Sequence, residues 1–265
     1  MKIDFGMPTL IETDGLQTCA RLCGELGLRF IELNMNMPQY QLGQMDAAQL
    51  RKLAREYGIY YTIHLDENLN VSDFNPYIAE GYTRTALETI ALAKEMDMPM
   101  INMHLSKGVY FTLPERKVYL FDVYRDQYLQ SILRFRDACA AAVGTSGIKI
   151  GIENCDGYTP FQKDAIERLL ESPGFALTYD VGHNHGCGGA DEPYILAHQK
   201  RLAHMHLHDA KGSKNHLALG TGELDVRKYL TLAEENRCRV VLETKTVRGL
   251  RASVRWLKDN GLMTE

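Results

Sequence analysis

The chain has 265 residues, 45% hydrophobic and 24% charged, with 30 Lys plus Arg against 34 Asp plus Glu for a formal net charge of −4. That length suits one large α/β domain or two small ones, and the apolar share can fill a sizeable core, which excludes wholesale disorder. No run approaches the roughly 18 apolar residues of a membrane helix, and mild acidity gives no global field for gripping nucleic acid.

The start, MKIDFG, lacks a basic-then-apolar signal region and reads as cytoplasmic. Cys19, Cys23, Cys139, Cys155, Cys187 and Cys238 form no CxxC pair and read as reduced thiols rather than disulfides.

In chain order, β-rich segments recur about every 30 residues. Strands are predicted at Lys2–Met7, Phe30–Met35, Tyr60–Asp66, Met100–Ser106, Lys149–Cys155, Phe175–Val181, Leu202–Asp209 and Arg239–Lys245. Helix-period stretches lie between them, at Asp14–Gly27, Asp46–Gly58, Tyr77–Met96, Tyr119–Val143, Gln162–Glu171, Glu192–Lys200, Asp225–Asn236 and Gly249–Asn260. Asp14, Asp46 and Asp225 read as N-caps, and Gly27, Gly58 and Gly261 as helix stops. No stretch reads as a linker, so residues 1–265 are expected to form one domain. Eight strand–helix units predict a single (β/α)8 TIM barrel. A doubly wound open sheet usually has fewer units and a Gly-rich first turn, which is missing here.

Alternate residues of a strand face opposite sides, so parity predicts what points into the barrel. Ile63 and Leu65 oppose Thr62 and His64, and Ile101 and Met103 oppose Asn102 and His104. Ile150 and Ile152 oppose Gly151 and Glu153, Leu177 and Tyr179 oppose Thr178 and Asp180, and Met205 and Leu207 oppose His204, His206 and His208. Val240 and Leu242 oppose Val241 and Glu243, and Ile31 and Leu33 oppose Glu32 and Asn34. The polar set falls late in each strand, at the C-terminal mouth where such barrels carry chemistry.

The late, inward residues able to bind a metal are His64, His104, Glu153, Asp180, His206 and Glu243, joined by His183 and by His216 in the Gly-rich loop after strand seven. Taken singly, each is more often a hydrogen-bonded or turn-capping residue. Six strand ends with matching parity and ligand type make coincidence the weaker explanation, and imidazole with carboxylate suits Zn²⁺, Mn²⁺, Fe²⁺ or Co²⁺. His204 reads as core, His208 as a substrate contact, and His185 and His198 as surface or helix residues.

The segments MHLS at 103–106, GIEN at 151–154, YDVGH at 179–183, HMHLHDAKG at 204–212, LGTGELD at 219–225 and VLETK at 241–245 resemble the xylose-isomerase-like TIM-barrel superfamily. That superfamily holds sugar isomerases and epimerases as well as zinc-dependent apurinic endonucleases of the endonuclease IV group. Resemblance to the ketose 3-epimerases implies one divalent cation held by Glu153, Asp180, His206 and Glu243. Zn²⁺ or Mn²⁺ comes first, with Co²⁺, Fe²⁺ or Mg²⁺ as alternatives. It also implies that Glu153 and Glu243 form the acid/base pair. Resemblance to the endonucleases implies nine ligands for three zinc ions. Eight are matched, the same four plus His64, His104, His183 and His216. Lys214 stands where the ninth should be an Asp. A second metal near His64 and His104 is therefore an open expectation, while the third site is in doubt. Barrels that this chain resembles often dimerise or tetramerise, which leaves a homo-oligomer open.

An isomerase or epimerase acting on a keto sugar or sugar phosphate needs a cation to stabilise an enediolate and a carboxylate to move a carbon-bound proton. His183 is then a candidate for a substrate oxygen, and Lys245, Lys211 or His208 for a phosphate or distal hydroxyl. The alternative is zinc-dependent phosphodiester cleavage, which His64 and His104 favour. Against a DNA substrate, the loop Asn34–Leu50 has Asp46 and no Lys or Arg, and the next mouth loop opens with Asp66 and Glu67. A small polar substrate is the expected partner. A catalytically silent ligand-binding barrel is the third reading, against which the intact Glu153 and Glu243 argue. Ser106–Lys117 is long enough to be a lid, or else an ordinary surface loop.

Overall fold

The computed structural model describes residues 3–263. Eight parallel strands close into a barrel: β1 Phe5–Pro8, β2 Phe30–Asn34, β3 Tyr60–His64, β4 Met100–His104, β5 Lys149–Glu153, β6 Phe175–Asp180, β7 Leu202–Leu207 and β8 Arg239–Leu242. Each hydrogen-bonds to its sequence neighbours, and β1 closes on β8 through Phe5↔Val240 and Gly6↔Val241. The first strand was expected from Lys2, which lies outside the described residues.

The helices are α1 Leu16–Glu25, α2 Ala47–Tyr57, α3 Pro76–Glu95, α4 Leu120–Val123, α5 Arg125–Val143, α6 Pro160–Leu170, α7 Val181–Gly186, α8 Glu192–Ala197, α9 Val226–Glu235 and α10 Val247–Asp259. Asp46 and Asp225 cap α2 and α9 as expected, accepting from the backbone N–H of Ala48 and Lys228. Asp14 does not cap α1, whose N-cap is Gly15 with no side-chain bond. Two helices start before their expected Gln162 and Gly249. Thr159 forms a capping box with Gln162 ahead of Pro160, and the Thr246 hydroxyl accepts from Gly249 N–H. The helix expected over Tyr119–Val143 breaks at Tyr124 (φ −106°, ψ 47°) into α4 and α5. The stretch expected to be helical over Glu192–Lys200 ends α8 at Ala197 and continues as a 3₁₀ turn. No helix among the described residues is long and apolar enough to cross a membrane.

Strand parity sorts the core as the sequence pattern implies. Ile31, Leu33, Ile63, Ile101, Ile152, Leu177, Met205 and Leu242 pack in the apolar core, while Glu32, Thr62, His64, Asn102, Glu153, Thr178, Asp180, His204 and His206 form a second, buried polar population. Gly151 makes room for it: a Cβ there would lie 2.3 Å from Thr178 Oγ1. Two hairpins rise from the C-terminal mouth. One pairs Asp209–Lys211 with Lys214–Leu217 after β7, and the other pairs Tyr110–Thr112, in the expected lid segment, with Lys117–Tyr119, which runs past the end of that segment. The second exposes Val109, Tyr110, Phe111 and Leu113. The six cysteines are free, and burial pushes the Cys19, Cys139 and Cys238 thiols up to about 12.

Candidate metal centre

Four consecutive strands deliver the centre. Glu153 ends β5, Asp180 ends β6, His206 is next to last in β7, and Glu243 follows β8 directly. All four are buried, and one ligand atom from each lies within 4.8 Å of the others. Register sets the height of each: Asp180 pairs with His206 and His206 with Val241, while Glu153 stands beside Thr178.

His206 is the hub. Its Nδ1 lies 3.1 Å from Glu153 Oε1, 3.5 Å from Glu243 Oε2 and 4.0 Å from Asp180 Oδ2. Burial disfavours an imidazolium, but the charges of Glu153, Glu32 and Glu243 outweigh it and hold His206 well above the usual imidazole range. Burial likewise opposes ionised carboxylates. His206 and His104 overcome it at Glu153, and His206 and Lys245 at Glu243, so both stay well below the usual carboxylate range.

Asp180 is held from several sides. Its Oδ1 caps α7 by accepting from His183 N–H at 2.7 Å, and it lies 3.2 Å from His208 Nε2. His216 N–H donates to His208 Nδ1 at 2.8 Å, so a neutral His208 carries its proton on Nε2, aimed at Asp180. Asn154 clamps the Asp180 main chain, with its amide oxygen accepting from Asp180 N–H and its amide nitrogen donating to Asp180 C=O, each at 2.9 Å. The glycine of YDVGH has a steric role, since a Cβ on Gly182 would lie 1.9 Å from His208 Cε1.

Glu243 Oε1 takes the Lys245 ammonium at 2.7 Å, whereas its Oε2 is buried without a hydrogen-bond partner. That bare oxygen, the His206 Nδ1 and the carboxylates of Glu153 and Asp180 converge on one space. An oxygen-rich set with one imidazole fits a divalent first-row cation, and the orphaned oxygen is a cost such an ion removes.

A second group adjoins it. His64 Nε2 and His104 Nε2 lie 3.3 and 3.2 Å from Glu153 Oε2, which Asn102 Nδ2 also contacts. Burial opposes charge on His64, but Glu153 more than compensates and lifts it to about 9. On the other side, His216 Nδ1 sits 3.1 Å from Glu243 C=O and 3.8 Å from Glu243 Oε2, and burial pulls this imidazole down to about 4. The His183 ring is half-buried, 5.5 Å from the His216 ring.

Expectation and placement differ at one position. His208, expected to contact substrate, is fully buried with both ring nitrogens engaged, because it directly follows β7 and meets His216 N–H on the second strand of the hairpin. Lys211 is exposed on that hairpin, near Glu223. His204 is core, as expected, and meets Glu32 Oε2 at 2.8 Å. Glu32 has the inward parity but sits mid-strand, away from the late-strand positions that mark the expected ligands. It lies 2.7 Å from His206 Nε2. Asp209 was also missed. Its buried carboxylate accepts from the backbone N–H of Ala210, Gly220, Gly222 and Leu224, ordering the LGTGELD loop beside the centre.

A closed barrel with buried carboxylates and imidazoles at its C-terminal mouth defines the class. The chain belongs to the xylose isomerase-like TIM barrel family, which matches residues 20–260. It is 24% identical over 233 residues to an uncharacterised protein of Methanocaldococcus jannaschii, covering 83% of this chain and 76% of that one. Among solved structures it is similar to a D-tagatose 3-epimerase-like protein (21% identity, TM-score 0.78, 97% and 96% of the two chains). It is also similar to the 3-keto-D-glucoside 4-epimerase YcjR of E. coli (14% identity, TM-score 0.76, 97% and 100%). At these identities the likeness shows a shared fold.

Proposed function

We propose that this protein is a divalent-metal-dependent isomerase or epimerase that moves a proton on a keto sugar or sugar phosphate. The observation that carries this is the buried quartet Glu153, Asp180, His206 and Glu243, with two glutamates from strands β5 and β8 facing one space. The likeness in fold to a D-tagatose 3-epimerase-like protein and a 3-keto-D-glucoside 4-epimerase supports the same reading. A cation held by the quartet would supply a Lewis acid for a substrate carbonyl and the neighbouring hydroxyl.

The residues divide the remaining work. Glu243, with Oε2 turned toward the quartet and Oε1 on the half-exposed Lys245 ammonium, is the carboxylate that would accept a carbon-bound proton. Glu153 is backed on Oε2 by His64, His104 and Asn102, so a proton returned from its side is replenished from imidazole. Return on the opposite face inverts the carbon, and return to the neighbouring carbon isomerises. His183, half-buried at the mouth, binds a substrate oxygen, and Lys245, 53% exposed, reaches a distal hydroxyl or phosphate.

The test is solvent-deuterium incorporation into a ketose at carbon three. Glu153→Gln and Glu243→Gln are each expected to abolish it while the melting transition persists. Exchange at the wild-type rate in both variants would remove the acid/base assignment. A second reading, phosphodiester cleavage, is favoured by the His64–His104–Glu153 group, which a single-ion sugar site does not require. Metal content per purified chain separates them, with one ion expected for the isomerase and two or three for the phosphodiesterase.

A further inference from the structure

Glu32 lies at 2% exposure inside the barrel, on a strand that is not a neighbour of β7. Its Oε2 accepts from Thr62 Oγ1 at 3.1 Å and meets His204 Nε2 at 2.8 Å. Its Oε1 reaches His206 Nε2 at 2.7 Å, a short contact bent out of line with the ring N–H direction. The carboxylate is therefore pinned through one oxygen and spends the other on His206.

We infer that Glu32 is the positioning residue of His206: it holds the imidazole proton on Nε2 and so leaves Nδ1 as the lone pair for a cation in the quartet. The inference rests on the metal-dependent reading above. A cation in the quartet would displace the proton on Nδ1 that faces Glu153 Oε1 at 3.1 Å, and the remaining proton stays on Nε2, where a bare lone pair would meet an anionic oxygen 2.7 Å away. Nδ1 is then the only ring nitrogen available to the space it shares with Glu153, Asp180 and Glu243. A cation on Nδ1 withdraws density from the ring and sharpens the Nε2–H donor, which strengthens the Glu32 contact in turn. Glu32 also fixes the ring plane, because moving Nε2 away would strand a buried carboxylate oxygen.

The decisive measurement is ¹⁵N-histidine NMR of the full wild-type chain loaded with Zn²⁺. His206 is expected with a proton on Nε2 and the ion on Nδ1, and the reverse arrangement overturns the inference without any variant. Mn²⁺ titration adds a second readout. Glu32→Ala, checked for folding by its thermal transition, should weaken Mn²⁺ binding about 10–100-fold. Thr62→Val, which keeps both histidine contacts of Glu32, should weaken it less. Wild-type Mn²⁺ affinity in folded Glu32→Ala overturns the positioning role and leaves the metal reading standing. Failure of the wild-type chain to bind Mn²⁺ or Zn²⁺ overturns that reading and this inference with it.

Discussion

Helix α7 carries two glycines whose replacement by alanine is expected to act in opposite directions. A Cβ on Gly182 would lie 1.9 Å from His208 Cε1 and 2.4 Å from its Nδ1, whereas a Cβ on Gly186 meets nothing within 4 Å. Comfortable carbon–carbon contact is about 3.5–4.0 Å, so in Gly182→Ala the His208 ring must retreat by about 1.6 Å or α7 must lift. Either movement breaks the 3.2 Å contact to Asp180 and the 2.8 Å bond from His216 N–H. Overpacking costs about 1–3 kcal/mol, and stranding part of a buried, charge-assisted pair adds about 1–2 kcal/mol. The sum, about 2–5 kcal/mol, corresponds to a fall of roughly 5–15 °C in Tm for a chain of this size. Gly186 is exposed and helical, so Gly186→Ala should be neutral or stabilise by about 0.4–1 kcal/mol. Calorimetric melting of both variants in chelator decides the matter. Equal Tm values within a degree would show that Gly182 is not there to admit the His208 ring.

Four further outcomes follow from the same geometry. Dialysis against EDTA should lower Tm, and Mn²⁺ at 100 times its Kd should restore about 2.7 kcal/mol, or roughly 5–10 °C, as differential scanning fluorimetry would show. Because burial is outweighed at His206 by the charges of Glu153, Glu32 and Glu243, the ring holds its second proton more tightly than an ordinary imidazole, and a cation binding at Nδ1 would displace it. Mn²⁺ affinity should therefore rise with pH until that raised pKa is passed, and calorimetry in buffers of different ionisation enthalpy should record proton release. Asp209→Asn, which leaves buried backbone N–H groups facing an amide that accepts through one oxygen, should cost about 2–4 kcal/mol in urea denaturation. Lys245→Met should change stability by less than about 1 kcal/mol because the pair is half in water, yet lower kcat/KM for ketose exchange.

What could be read from the chain depended on how local the cause was. Strand parity belongs to each strand alone, so seven independent readings pointed to the barrel and to Glu153, Asp180, His206 and Glu243 at its mouth. Helix ends were legible where one side chain decides them, as at Asp46 and Asp225, and slipped where a Thr–Pro pair or a backbone break moved the start, as at Thr159 and Tyr124. Relations across the barrel were not legible. Glu32 is 174 residues from His206 along the chain, and its role depends on the barrel diameter, which no single strand encodes. His208 shows the same limit in reverse: its parity is shared with His206, but the His216 hairpin folds over it and takes its second nitrogen. Asp180 joins both regimes. The same carboxylate that strand parity aims at the centre caps α7, and α7 in turn carries Gly182 against His208. Helix start, glycine and buried imidazole thus fix the orientation of the Asp180 carboxylate, the preorganisation that the proposed metal centre would need.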